Sequence, residues 1–426
     1  MKLDGHGYTP SALEKIVQAA GQTKSFKVAA QVLEVVGEIA ICGRHVNRLT
    51  EEIGGELRGK RDRETEDYVH HRRQEPAAAA PQCAAIALDG GRVMTRQSGR
   101  GPGVHGEQWK ENKVGCLLAL EGKTFAEDPH PEPPRCFLDA PGVDKLVREI
   151  QAHHGKRQEN ELPELEELGL GKERIPSSAG PASPGPTEPD ETPWPPKRAE
   201  NPRTCVATMG DCAAFGKMVA AEAYRRNFQA AEQGALLGDG SAWIWNLQEK
   251  WFREMTPIVD FVHALTYLYV CATVLSANVA ERWQRYVGWM TLCWQGRVGE
   301  VIREMEAALG RLEPFDGEGK LAPTDPREVL RRTIGYLKNN GPRMNYAEYR
   351  RRGLPVTSSM VESLIKEVNY RVKGTEKFWD NPEGAEAILQ VRAALLCDDD
   401  RLADFIAERP GSAVRKYKNR EAAEAA

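Results

Sequence analysis

Three acids stand out in the chain by type and context. Asp89 ends an apolar, strand-like run in CAAIALDGG and Asp239 ends another in GALLGDGS, each followed at once by glycine. Carboxylates at strand ends beside glycine turns suit a divalent cation, because hard Mg²⁺ takes oxygen ligands and glycine lets the backbone approach closely. Glu362, in LPVTSSMVES, sits on a predicted amphipathic helix and would supply a third carboxylate. Each acid also has a plainer role: Asp-Gly is a turn signal, and Ser359 to Glu362 fits the S-x-x-E capping box. Together they describe a site for two Mg²⁺ ions, with Mn²⁺ an alternative, held roughly 3.5–4 Å apart. Such a pair activates a water or a 3′-hydroxyl for in-line attack on a phosphodiester, which is nuclease or strand-transfer chemistry.

The elements that must position these acids are readable from apolar periodicity. CAAIALDGGRV and VGCLLALEG read as two strands able to form a hairpin, RTCVATM as a third, GALLG as a fourth and MTPIVDFV as a fifth. With a helix near Asp211 to Phe228 the order is strand, strand, strand, helix, strand, helix, strand, which predicts a mixed α/β sheet. From His263 to Pro355 the pattern turns helical and predicts an inserted helical block. Its Trp283, Trp289 and Trp294 would form a small core of their own, with stacking on a flipped base the alternative. Val361, Ile365, Val368 and Val372 then give the Glu362 helix one apolar face, with Lys366, Asn369 and Lys373 on the adjoining polar stripe.

A length of 426 residues predicts two or three cores. With 58 Lys+Arg against 62 Asp+Glu the net charge is −4, so any nucleic-acid surface has to be a local patch. Residues 11–57 are helical in pattern with a break at Gly37. Val46, Leu49 and Ile53 would face inward and leave Arg44, His45, Asn47 and Arg48 on the outer face of a short second helix. That is either a helix-turn-helix reading a major groove or a plain helical hairpin with a solvated face. Arg350, Arg351 and Arg352, followed by Lys366, Arg371, Lys373 and Lys377, make a second basic set, either a phosphate track beside the acids or a solvated face. His263, three residues after Asp260, either supports the site or is a structural histidine bonded to that aspartate. Trp243 and Trp245 beside the second aspartate read first as core.

The nine cysteines include no C-x-x-C pair and are odd in number, which argues against a disulfide framework or a zinc knuckle. MKLDGHGYTP lacks the apolar run of a signal peptide, and the long apolar stretch from Ile258 contains Asp260 and His263. The expectation is therefore a cytoplasmic chain with no membrane segment, in which a buried strand runs into a core helix. Residues 176–202 hold nine of the 27 prolines and predict a disordered or extended excursion.

ALDGGRV with GPGVHGEQWKENKVGCLLAL, GDGSAWIW with IVDFVHA, and LPVTSSMVESLIKEVNYRVKGTEKFW closely resemble DDE transposases of bacterial insertion sequences. The nearest match is the Kra-type group, relatives of the Mutator-like transposases. The resemblance spans about residues 8 to 397, apart from the Pro-rich stretch. It implies a ribonuclease-H-like α/β core interrupted by an all-α insertion and preceded by a small helix-turn-helix-like domain. It also implies that Asp89, Asp239 and Glu362 are a metal-binding triad, that Asp260 and His263 form the D-x-x-H motif after the fifth strand, and that Trp243 supports the site. The expected boundaries are 1–75 for the DNA-binding region and linker, and 83–263 for the first part of the core with an insertion at about 156–202. The helical insertion then covers 264–355, the last core helix 356–400 and the tail 401–426. The implied activity is Mg²⁺-dependent cleavage and strand transfer on double-stranded DNA, both element ends and target, by a nucleoid-associated homo-oligomer that pairs two ends. Two departures accompany the resemblance: the Pro-rich stretch, and a start downstream of the N-terminal segment that such transposases carry. A catalytically defective DNA-binding remnant and a ribonuclease-H-like nuclease without strand transfer are the alternative readings.

Overall fold

Cys83 to Leu88 is apolar at six successive positions, the pattern of a strand covered on both faces, and all six are buried. This run opens β1 (Cys83–Met94), the centre of a five-stranded sheet with β2 (Trp109–Glu121), β3 (Lys197–Thr208), β4 (Gln233–Gly238) and β5 (Thr256–Val259). The computed structural model describes residues 7–76, 78–95, 109–153, 162–169, 195–313, 320–357, 367–368, 370–371, 379 and 381–409. The strand order is β3-β2-β1-β4-β5. β1 pairs antiparallel with β2 and β2 with β3, whereas β1 with β4 and β4 with β5 are parallel. The chain is thus an α/β protein with a mixed sheet flanked by helices, and all five expected strands are present.

Parallel neighbours need a crossover, and helices provide it. α5 (Cys212–Arg225) lies between β3 and β4 in sequence, and α6 (Ala242–Trp251) between β4 and β5. A further helix, α4 (Ala140–His153), was not anticipated, although Asp139 accepts the Gly142 N–H at its start and Val143, Val147 and Ile150 are buried at helical spacing.

The apolar stretch from Ile258 is the end of β5 running into α7 (Phe261–Val274), as its internal acid and histidine suggested. Among the described residues no helix is long and apolar enough to cross a membrane. Four more helices follow: α8 (Val279–Trp294), α9 (Val298–Arg311), α10 (Pro326–Asn340) and α11 (Tyr346–Arg351). The tryptophan trio does not form a separate core. Trp294 packs edge-on at 4.9 Å from Phe261 and 6.1 Å from Phe137, and all three indoles belong to the same buried cluster as the sheet. None is more than 6% exposed, so none is free to stack on a base.

The N-terminal region also departs from expectation. α1 (Pro10–Gln22) is capped by Thr9 and α2 (Phe26–Gly37) by Ser25, and α2 ends where Glu38 turns left-handed at φ 54°. The next helix is not short: α3 runs unbroken over Gly43–Val69, 27 residues. The charged stretch from Arg58, which reads in the sequence as an exposed helix or a linker, is its second half. Helices α12 (Pro382–Leu395) and α13 (Arg401–Glu408) close the described chain. Val391, Ala394, Leu402 and Ile406 share one buried cluster with Leu13, Ile16, Val46, Leu49 and Ile53. Residues 1–75 therefore have no closed core without the C-terminus, and the tail expected from residue 401 opens instead with a packed helix. α3 crosses α12 so closely at Gly54 that a side chain there would collide with the Ala387 backbone.

A buried ion network fastens the C-terminal helices to α5. Glu222 accepts hydrogen bonds from Arg225 and Arg401, and Asp399 accepts from the same two arginines. Burial alone would push the Glu222 carboxyl up, but the charges and hydrogen bonds of Arg401 and Arg225 outweigh it and hold the group well below the usual carboxylate range. A depressed folded pKa means stability that is fully present above the unfolded glutamate value of about 4.3 and lost as pH falls towards the folded one. Arg401→Ala is expected to cost roughly 3 kcal/mol at neutral pH in denaturant unfolding, since it strips a buried acid of one partner. Glu222→Gln should flatten the fall in Tm below about pH 4.3 relative to the parent protein.

Candidate active site

The parallel register of β1 and β4 decides where the first two acids lie. Cys83 faces Gln233 and the pairing runs without a slip to Ala87 opposite Leu237. Carried two residues past the end of that ladder, the same offset sets Asp89, within β1, level with Asp239, the residue that follows β4. β4 and β5 continue the row: Gly238 faces Val259, which sets Asp239 next to Asp260. Asp239 and Asp260 directly follow the ends of β4 and β5, whereas Asp89 lies in the middle of β1, which runs on to Met94 beside β2.

Their surroundings differ. Asp89 is half-buried and accepts the Gly90 N–H at 2.7 Å. Asp239, also half-buried, accepts the Ser241 N–H at 2.8 Å with one oxygen and the Ser241 hydroxyl at 3.0 Å with the other. These bonds fix the rotamer and are those of an Asx turn. Asp260 is only 1% exposed and accepts the Val262 N–H at 3.0 Å, as the N-cap of α7. Its carboxylate serves the helix.

A ring of phenols from the helical block encloses the Asp239 turn. Tyr336 of α10 donates its hydroxyl to the Asp239 carbonyl at 2.9 Å and stacks on Tyr267 of α7 at 3.7 Å with the rings 6° from parallel. Burial, then the neighbouring phenols and Asp239 and Asp260, push the Tyr336 hydroxyl well above its ordinary value, so it stays a donor. Gly240 has φ +102°, and a Cβ there would meet the Tyr336 ring at 2.6 Å. The Trp245 indole N–H donates to Asn340 at 3.1 Å, and the Arg343 guanidinium lies 4.8 Å over that indole. Ser241 has a local signal in D-G-S, an Asp followed two residues on by a hydroxyl. Tyr336 and Asn340 have none, since they reach the turn from about 95 residues away.

Glu362 lies outside the described residues, as do Lys366, Lys373 and Lys377. The described chain on either side of Glu362 is anchored near the acids. The Phe261 N–H, one residue after Asp260, donates to the Val356 carbonyl at 3.0 Å, and the Trp379 N–H donates to Met94 near the end of β1 at 3.1 Å. Among the described residues no group of three or more His, Cys, Asp or Glu side chains comes together to hold a metal. Asp89 and Asp239 are nonetheless half-buried hard oxygen donors on adjacent strands, a donor set that suits Mg²⁺ or Mn²⁺ once further ligands are added.

The other expected site residues divide. His263 is half-buried in the first turn of α7, and Trp243 is partly buried at 6.1 Å from Phe215. Arg350 is fully buried: its guanidinium stacks 3.9 Å over Trp294 and pairs with Asp128. Arg371 is 3% exposed, donates to the Ala20 carbonyl and lies over Phe26 and Trp379. Both arginines are internal fasteners and are not available to a phosphate track. Arg351 shares its charge with Glu348, and Arg352 is half-buried. On α3, Arg44 and Arg48 are exposed and Asn47 donates to Glu51. His45 departs from the outer face, packing edge-on at 5.8 Å from Tyr8.

Two alanine substitutions separate the turn from its surroundings. Gly240→Ala should lose about 2 kcal/mol in denaturant unfolding, from a left-handed backbone and a collision with Tyr336. Gly335→Ala, one residue away from Tyr336 but with nothing within 4 Å of the added Cβ, should gain up to about 1 kcal/mol from helix propensity. No protein-family model matches the chain, and no curated protein matches it.

Proposed function

We propose that the chain is a transposase of the DDE kind, cutting DNA at the ends of a mobile element and joining the freed ends to a target. The observation that carries this reading is the β1–β4 register, whose offset, carried past its last pair, sets Asp89 of β1 level with Asp239 at the end of β4. In support stands the sheet order, three antiparallel strands followed by two parallel ones with acids on the first and fourth, the arrangement expected of a ribonuclease-H-like core.

In this reading Asp89 and Asp239 hold the divalent cations, with Glu362 as the third carboxylate. When bound, such ions supply activation of a water or 3′-hydroxyl and neutralise charge at the leaving oxygen. Ser241 keeps both oxygens of Asp239 in one rotamer, and Tyr336 holds the backbone beneath it. Asp260 stabilises the first turn of α7 and so fixes the half-buried His263 beside the acids. Water attacks the phosphodiester at the element end and leaves a 3′-hydroxyl, which then displaces a 3′-oxygen in target DNA. Arg44, Arg48 and Arg352, the basic side chains of the expected set with surface exposure and no acid partner named above, are the candidates for backbone contacts on double-stranded DNA. Pairing of two ends calls for a homo-oligomer.

The test incubates the full chain with labelled DNA carrying the ends of its own element, with and without Mg²⁺, beside Asp89→Asn and Asp239→Asn. Metal-dependent cleavage and joined products in the parent, falling to background in both variants at unchanged Tm, are the expected result. Cleavage without joined products would favour a nuclease without strand transfer. Binding without cleavage would identify a defective remnant.

A further inference from the structure

One cation beside the Asp239 turn is held in place without an acid to neutralise it. Arg343 closes the short 3-10 turn Gly341–Arg343, which follows α10 and packs beside β5. It is half-buried, with its guanidinium 4.8 Å over the Trp245 indole and one hydrogen bond, donated to the Asn339 carbonyl at 3.2 Å. Cations on either side of it in the chain are differently placed: Arg332 pairs with Glu328, Lys338 with Glu306, Arg350 with Asp128 and Arg351 with Glu348. Among the described residues no carboxylate pairs with Arg343. Half-burial strips a cation of part of its hydration, and an indole face restores only some of what is lost. The stack fixes the plane of the guanidinium, while its remaining N–H donors have no protein acceptor among the described residues.

A short series of contacts joins this cation to the acids. Trp245 stands one turn into α6, whose N-cap Ser241 holds the Asp239 carboxylate. Its indole N–H donates to Asn340, and the Asn340 amide lies 2.9 Å from where a Cβ on Gly240 would stand. These contacts, with the covalent lengths between them, keep the guanidinium within roughly 15 Å of the turn. One DNA strand advances about 3.4 Å per nucleotide along the duplex axis, so that reach covers about four nucleotides. A flat, preoriented guanidinium with uncommitted donors is the side chain best suited to a phosphate, which it can take with two parallel hydrogen bonds.

We propose that Arg343 is a substrate-binding residue of the active site, holding a DNA backbone phosphate within about four nucleotides of the bond that is cut, with Trp245 as the plate that aims it. This rests on the transposase reading and adds to it a contact next to the acids.

Binding of the full chain to a labelled duplex of about 30 base pairs, without divalent metal and at about 50 to 200 mM salt, tests it. Each phosphate contact contributes about 0.9 to the slope of log affinity against log salt. Arg343→Ala should bind more weakly than the parent with a slope shallower by about one, so that its deficit shrinks about 3.5-fold across that range. Arg343→Lys keeps the charge without the stack and should recover the slope but not the full affinity. Arg253→Ala removes the same charge beyond the far end of α6 and should keep the parent slope. An arginine that only braces Trp245 would lower Tm in both Arg343 variants and leave every slope unchanged, which overturns the proposal while the transposase reading stands. An equal loss of slope in Arg253→Ala also overturns it, since the effect would then be one of net charge. A parent that binds no DNA overturns the transposase reading, and this proposal with it.

Discussion

The catalytic reading of this chain depends on the parallel pairing of β1 with β4. A slip of one residue would turn Asp239 to the opposite face of the sheet and separate it from Asp89. The register is held at the end where it matters. Gly238 lets Ile244 approach to within 2.7 Å of where a Cβ would stand, and its carbonyl accepts the Asp260 N–H at 2.8 Å. Gly240 makes room for Tyr336. Two glycines therefore allow the strand end to be gripped from α6, β5 and α10 at once. Gly240, which flagged Asp239 in the sequence, acts as much through this close packing as through access for a ligand.

The helical block is best understood through its contact with that strand end. Its tryptophans extend the core of the sheet, and its tyrosines brace the Asp239 turn, so the block and the acids are mechanically one unit. Arg350 contributes to the same end. Removing a guanidinium from water is costly, and the Trp294 face, the Trp294 carbonyl and Asp128 offset part of that cost while they lock α11 against the loop after β2. Arginine is suited to this because its flat, weakly hydrated cation can stack and pair simultaneously.

How much was legible follows from the range of each interaction. The five strands, their succession along the chain and the end of β4 at Asp239 were readable because apolar runs and Asp-Gly turns are local, whereas the continuation of β1 past Asp89 to Met94 was not. The break after α2 was visible at Gly37, but the length of α3 was not, because its charged second half looks solvated until Arg61 finds Glu386 and Tyr68 finds Tyr224 across the fold. The two arginines expected on DNA were misread for the same reason. Asp128 is 222 residues from Arg350 in the chain, and Ala20 is 351 from Arg371, so nothing near either arginine announces its burial. α4 is the opposite case, a helix with ordinary periodicity and an aspartate at its start that local reading could have found.

The shared core of the two chain ends bears on how the protein is made. Leu13, Ile16 and Val46 leave the ribosome long before Leu402 and Ile406, which complete their cluster. At about 5–20 residues per second the first three helices wait on the order of tens of seconds for their closing partners. During that interval they expose the inward face that α12 and α13 will cover. A nascent chain in that state is a natural client for chaperones.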